Sequence, residues 1–173
     1  MSQNLHPDFK PGISHTEASA ADRRTHDFIL RQGDAMNAKN WDYAIALNTQ
    51  MRENQLRVYR PDSAPIAGTY GSLAAILSEA GRLDEAEEAV EKALAMYAAV
   101  EDYNEMGLAR ETLAQIKELQ GKFEEAREVR LRVKERREMS CANDKVSLLI
   151  VELEQRADCG DAVSFGEDRL SSA

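Results

Sequence analysis

A six-residue pattern recurs three times at a near-constant interval, and this restricts the chain to a repeat architecture. The alanines that end the three copies lie 42 and 40 residues apart. A period of this length is typical of stacked helix pairs, in which each unit buries its apolar face only against its neighbours. The sequence therefore predicts an all-α fold. The copies are Lys39-Asn40-Trp41-Asp42-Tyr43-Ala44, Gly81-Arg82-Leu83-Asp84-Glu85-Ala86 and Gly121-Lys122-Phe123-Glu124-Glu125-Ala126.

Composition and charge exclude several classes of protein. The chain has 173 residues, which suits one domain with flexible ends, and a net charge of −9. We therefore expect no general affinity for nucleic acid or anionic membranes. The longest mostly apolar run, residues 146–153, is too short to cross a bilayer. Cys141 and Cys159 are too few for a disulfide framework, which indicates a reducing compartment such as the cytoplasm.

The spacing of apolar residues divides the chain into four predicted segments. Residues 1–18 lack a helical period and mix Pro, Gly, Ser and Asn, which predicts a disordered leader. Residues 19–138 are expected to form three antiparallel helix pairs that wind into a right-handed superhelix. We predict a linker and a C-terminal capping helix over residues 139–157, because solenoids need a covered end. A disordered tail is predicted over residues 158–173.

Local signals predict individual helix ends and contacts. One helix is predicted over residues 41–58, and Asp62 or Ser63 is suited to cap the helix that follows. Gly68 and Gly71 lie inside that following helix. We interpret both glycines as sites where the backbones of neighbouring helices approach closely.

The third helix pair carries charge at positions that are apolar in the middle pair. Lys117 and Arg130 fall where the middle pair has Leu77 and Val90. We expect the aliphatic stems of these two side chains to pack while their charges reach water.

The repeats resemble the tetratricopeptide repeats, in which a Gly-x-aromatic-x-x-Ala turn leads into the second helix of each pair. Residues 121–126 match this turn closely, residues 81–86 have Leu83 in the aromatic position, and Lys39 replaces the glycine of the first copy. The spacing of 40 to 42 residues is similar to that of the longer repeats of kinesin light chains. The resemblance implies a non-catalytic scaffold for protein–protein interaction.

A weaker resemblance links residues 126–143 to fungal repeat proteins in which a MYND-type zinc finger follows the repeats. Such a finger needs two zinc sites filled mostly by cysteine, whereas only Cys159 follows Cys141. The finger is therefore incomplete here, and we leave open whether the tail is native or truncated.

The titratable residues form no catalytic or metal-binding pattern. His6, His15 and His26 have no convincing partner at metal-ligand spacing, and neither cysteine has a visible base. We therefore expect no catalytic residue, no metal and no cofactor. An enzyme of unknown type remains a minor alternative.

Comparison with the family places one set of residues on the concave side of the array. This set contains no carboxylate clamp of Lys, Arg and Asn, and it is expected to be small and apolar at one end and acidic at the other. We predict that it binds a protein or peptide segment of basic or amphipathic character. Self-association into a homodimer is the alternative. The predicted partner-binding residues are Ile29, Gly33, Met36, Gly71, Ala75, Ser78, Glu111, Gln115 and Glu118.

Overall fold

Six helices make up the part of the protein that the structure describes. A computed structural model describes residues 6–134, in which helices are the only regular secondary structure. The helix that begins at residue 123, α6, is described up to residue 134. The other five are α1 (His15–Asn37), α2 (Trp41–Val58), α3 (Ala64–Glu79), α4 (Leu83–Ala99) and α5 (Tyr103–Leu119).

The helices pack as consecutive pairs along the chain. Among α1 to α5, the most extensive contacts are those of α3 with α4 and of α1 with α2, and α4 also packs against α5 and α2 against α3. The predicted all-α repeat array is thus confirmed. The capping helix predicted over residues 139–157 and the tail over 158–173 lie outside the described residues, and the hand of the superhelix stays a prediction.

The turn between the helices of each pair has the same backbone conformation in all three repeats. Gly81 and Gly121 have φ angles of 76° and 77°, and Lys39 takes a φ of 54° at the equivalent position. A left-handed residue ends a helix readily when it is glycine, whereas a side chain there costs roughly 1 kcal/mol. The first turn therefore keeps the geometry of the repeat without its preferred residue.

The predicted bounds of α2 are confirmed, but the predicted cap of α3 is not. Ser63 does stand immediately before α3, yet its side chain makes no capping hydrogen bond. Its hydroxyl donates instead to the carbonyl of Arg60 at 2.7 Å. The hydroxyl thus closes the loop before the helix, and no backbone N–H of the first turn of α3 donates to it.

The core is built around alanines in the second helix of each pair. Ala44 and Ala86 are fully buried, and Ala126 is 1% exposed. Around Ala86, the buried side chains of Leu77, Val90 and others join α3, α4 and α5 in one cluster. The short side chain lets the two helix backbones of a pair approach, and larger neighbours fill the grooves around it.

Residues 6–18 differ from the disordered leader that the sequence predicted over residues 1–18. α1 begins at His15, because Ser14 and Glu17 form a reciprocal capping box. Residues 6–14 lie on the junction of α2 and α3, where the ring of Phe9 stacks on Tyr59 with centroids 4.4 Å apart. The Lys10 amide donates to the Val58 carbonyl at 2.8 Å. These are backbone and single-ring contacts, which leave no helical period in the sequence.

We predict that Ala86→Trp unfolds the array or lowers its free energy of unfolding by more than about 3 kcal/mol, because the packed interface has no room for an indole. Thermal denaturation followed by circular dichroism measures this effect. Ala95→Trp, at an exposed position of the same helix, is the matched control and should melt like the native chain. An unchanged melting temperature for Ala86→Trp would show that the helix register is wrong.

Candidate functional site

The predicted partner-binding residues on the first helix of each pair differ in how accessible they are. On α1, Ile29 is 51% exposed, whereas Met36 packs against the cluster formed by Ala35 and its neighbours. Ala75 on α3 and Gln115 on α5 are exposed. Ile29, Ala75 and Gln115 are therefore available to a partner, and Met36 is partly committed to the core.

The two predicted glutamates are brought together by an arginine from the next helix. Arg130 on α6 donates from its Nε and Nη2 atoms to Glu111 at 3.0–3.3 Å, and it also forms hydrogen bonds with Glu118. All three side chains are about 40% exposed. The Arg130 side chain thus reaches water as predicted, but the sequence did not predict that its guanidinium pairs with a glutamate on each side.

This pairing changes the electrostatics of the predicted acidic end. The hydrogen bonds from Arg130 hold the pKa of the Glu118 carboxyl below its usual value. The same bonds, to Glu118 and Glu111, raise the pKa of Arg130. One positive charge is therefore fixed against two negative charges, which leaves this end only weakly acidic. The sequence does hold a signal for this ion cluster. Arg130 on α6 replaces the apolar Val90 of the middle pair, and the adjacent helix α5 carries glutamates of opposite charge.

Lys117, which stands where the middle pair has Leu77, forms a second ion cluster. Its ammonium lies 2.5 Å from Glu87 on α4 and 2.7 Å from Glu125 on α6, and the lysine side chain is only 12% exposed. Hydrogen bonds to Glu125 and Glu87 raise the pKa of Lys117. Burial opposes ionisation of Glu87, but hydrogen bonds from Lys117 and Gln120 outweigh it and lower the pKa of this carboxyl. An ion cluster thus joins three helices where the middle pair uses Leu77.

The helical glycines do not all have the role that the sequence suggested. A Cβ added at Gly68 would lie 3.5 Å from the Tyr97 hydroxyl, an ordinary contact with a neighbouring helix. A Cβ added at Gly71 or Gly33 would meet no described heavy atom within 4 Å. The close-approach interpretation therefore fails for Gly71. Ser78 lies two turns further along α3 and is partly buried. Together, Gly71, Ala75 and Ser78 give this part of α3 a surface of small residues.

The described residues offer no site for a metal ion and no membrane span. Within residues 6–134, no group of three or more His, Cys, Asp or Glu side chains is arranged to hold a metal. Among the helices of this same part, none combines the length and the apolar character needed to cross a bilayer.

Comparison with known families identifies the repeats. Residues 63–139 match the model of the tetratricopeptide repeat family. This part of the chain is similar to tetratricopeptide repeats. The match covers the middle and third pairs and leaves out the first pair, where Lys39 replaces the turn glycine. The predicted resemblance is confirmed, while the narrower resemblance to proteins with a MYND-type finger depends on residues outside the described part.

One solved structure shows the same fold in a longer protein. It comes from Podosopora anserina and is described as a putative kinesin light chain with nearly identical TPR-like repeats. The two chains are 19% identical and superpose with a TM-score of 0.54, over 70% of this chain and 56% of the other. This chain thus spans little more than half of its structural neighbour. No curated protein sequence matches the chain.

We predict that Glu87→Gln lowers the free energy of unfolding by about 1 kcal/mol near pH 7, because it removes the charge that pairs with Lys117. The folded-state pKa of Glu87 lies below its ordinary value of 4.5. The contribution of the ionised Glu87 carboxylate to the free energy of unfolding is therefore fully present above the ordinary pKa of 4.5. It is lost as the pH falls through the lower, folded-state pKa.

Urea unfolding at about pH 7 and about pH 3 measures the difference between the native chain and Glu87→Gln at each pH. The exposed Glu88 on the same helix provides the control, Glu88→Gln, which should have little effect at either pH. A difference for Glu87→Gln that is equally large at both pH values would contradict the ion cluster.

Proposed function

We propose that the protein is a non-catalytic interaction module that binds a segment of another protein on the face formed by α1, α3 and α5. The single observation that carries this proposal is the open space beside Gly33 and Gly71. A glycine inside a helix costs roughly 1 kcal/mol relative to alanine. Since the described fold gives Gly71 no packing reason and Gly71 lies among the predicted partner-binding residues, we infer that the space serves the close approach of a partner.

The chemistry of this face favours an amphipathic partner over a strongly basic one. Ile29 and Ala75 offer exposed apolar surface, and Gln115 offers a neutral polar group. The glutamates at positions 111 and 118 are already paired with Arg130, so a basic partner would have to compete with that arginine. An amphipathic helix or strand that lays its apolar side over α3 satisfies these conditions.

Three further expectations concern self-association, location and catalysis. Homodimer formation stays a prediction, and so does a cytoplasmic location. A catalytic role has no described constellation of residues to support it, and we propose none.

We predict that Ala75→Arg abolishes partner binding, because a long charged side chain would fill the surface over α3. The measurement is quantitative affinity capture from cell extract, with the native chain, Ala75→Arg and Ala95→Arg as baits. Ala95 is also exposed but lies on α4, so its variant has the same charge and should capture like the native chain. Partners that bind all three baits equally would contradict the proposed face.

We predict that Gly71→Ala makes the protein more stable and the complex weaker. The methyl group raises helix propensity by about 1 kcal/mol and meets no described atom. Thermal melting should therefore shift upward by a few degrees while capture of the same partners decreases.

Gly107→Ala on α5 is the matched control, because its Cβ also enters open space at a position that is not predicted to bind a partner. It should stabilise the fold and leave capture unchanged. If both variants were stabilised and both captured partners normally, Gly71 would have no binding role.

A further inference from the structure

A positively charged cleft lies on α1, away from the predicted partner-binding residues. Its volume is about 410 Å³, and its lining residues recur at intervals of three, four and seven, so they share one face of the helix. Ile29 and Gly33 lie roughly half a turn around the helix from this face. The lining residues are Ala20, Arg23, Arg24, Asp27, Phe28 and Arg31, and we call this site the arginine cleft.

The repeat register shows what this face does elsewhere in the array. The 42-residue offset between the first two repeats places Arg24 and Arg31 at the positions of Ile66 and Leu73 on α3. Ile66 is 2% exposed and packs in a cluster with Val58 at the end of α2. On α3, this face packs against the preceding helix, α2. The equivalent face of α1 is charged and accessible.

The arginines of the cleft are only partly compensated. Arg23 and Arg24 are exposed, and within residues 6–134 neither side chain forms an ion pair. Arg31 lies 3.6 Å from Asp27 and donates to the Tyr43 hydroxyl at 2.5 Å, which orients its guanidinium. Three guanidinium groups thus meet one carboxylate, in a chain whose net charge is −9.

We propose that the arginine cleft binds an acidic amphipathic helix of a partner protein, at a surface separate from the proposed face over α3. A helix is the expected form because the equivalent face of α3 receives α2. Arg23 and Arg31 are about 12 Å apart along the helix axis, which matches carboxylates two turns apart on a helix that runs alongside. Guanidinium groups bind carboxylates through paired hydrogen bonds. Ala20 and the part of Phe28 that does not pack against the core provide apolar surface between the charges.

The test measures binding of a labelled peptide by fluorescence anisotropy. The probe is a glutamate-rich amphipathic helical peptide, compared with the same peptide carrying glutamine in place of glutamate and with a single-stranded oligonucleotide. The native chain should bind the glutamate peptide, and the affinity should fall as ionic strength rises from about 0.05 to about 0.5 M. Arg23→Glu combined with Arg24→Glu should weaken binding about tenfold or more, since it turns two attractive pairs into repulsive ones.

The matched control has the same change in net charge at another place. Lys92 on α4 and Arg127 on α6 are exposed, so Lys92→Glu combined with Arg127→Glu should bind the glutamate peptide within about twofold of the native chain. Circular dichroism confirms that each variant is folded, and Arg23→Gln with Arg24→Gln replaces the reversal if that variant unfolds. Ala75→Arg should leave peptide binding unchanged, which separates this inference from the proposed function.

Four outcomes would overturn the inference. The first is that the glutamate and glutamine peptides bind equally, or that neither binds. The second is that reversal at Arg23 and Arg24 has no more effect than reversal at the control positions. Loss of peptide binding in Ala75→Arg is the third, because it would place the peptide over α3. Preferential binding of the oligonucleotide is the fourth, because it would identify the cleft as a phosphate site.

Discussion

Close contact between the two helices of each pair, at a buried alanine, is the constraint on which the rest of the array depends. Ala44, Ala86 and Ala126 occupy the same place in the three repeats and are buried in each. A helix pair with so short a side chain at its interface holds its backbones close, and every other contact position then follows from the helical period. The alanine contact and the helical period together determine which positions contact a neighbouring repeat, whatever residue type occupies them.

One position on the second helix of each pair shows how different chemistry can occupy the same place in the repeat. It is held by Asn48 in the first pair, Val90 in the middle pair and Arg130 in the third, following the 42- and 40-residue offsets. The fully buried amide of Asn48 donates to the Thr69 carbonyl at 3.0 Å, and Val90 packs in the apolar core. Arg130 instead binds two glutamates on α5. The array therefore accommodates polar residues at its ends through specific contacts of the Asn48 amide nitrogen and the Arg130 guanidinium, although the buried Asn48 Oδ1 has no hydrogen-bond partner among the described residues. Its apolar core is concentrated in the middle.

Periodic features could be predicted from the sequence, whereas individual contacts could not. The helix pairs, the bounds of α2 and the left-handed turn at Gly81 follow from spacing and residue type. The position of Phe9 on Tyr59 depends on one ring and a few backbone bonds, which leave no period to detect. For the candidate site, the repeat register predicts which residues lie on the face but not which of them are paired or accessible. Only the side-chain geometry shows that Glu118 is paired with Arg130, and only the surroundings of Gly71 show that the space beside it is open.

The two proposed surfaces share α1, and this has a thermodynamic consequence. α1 packs mainly against α2, with polar contacts to α3 such as the hydrogen bond from the Ser72 hydroxyl to Gln32. A helix held chiefly by one neighbour opens more readily than one enclosed on several sides. A partner that binds only the folded form of α1 stabilises it by mass action, whichever face it occupies. Occupancy of the arginine cleft should therefore favour the folded state that presents Ile29 on the other side, which couples the two surfaces without any change in shape.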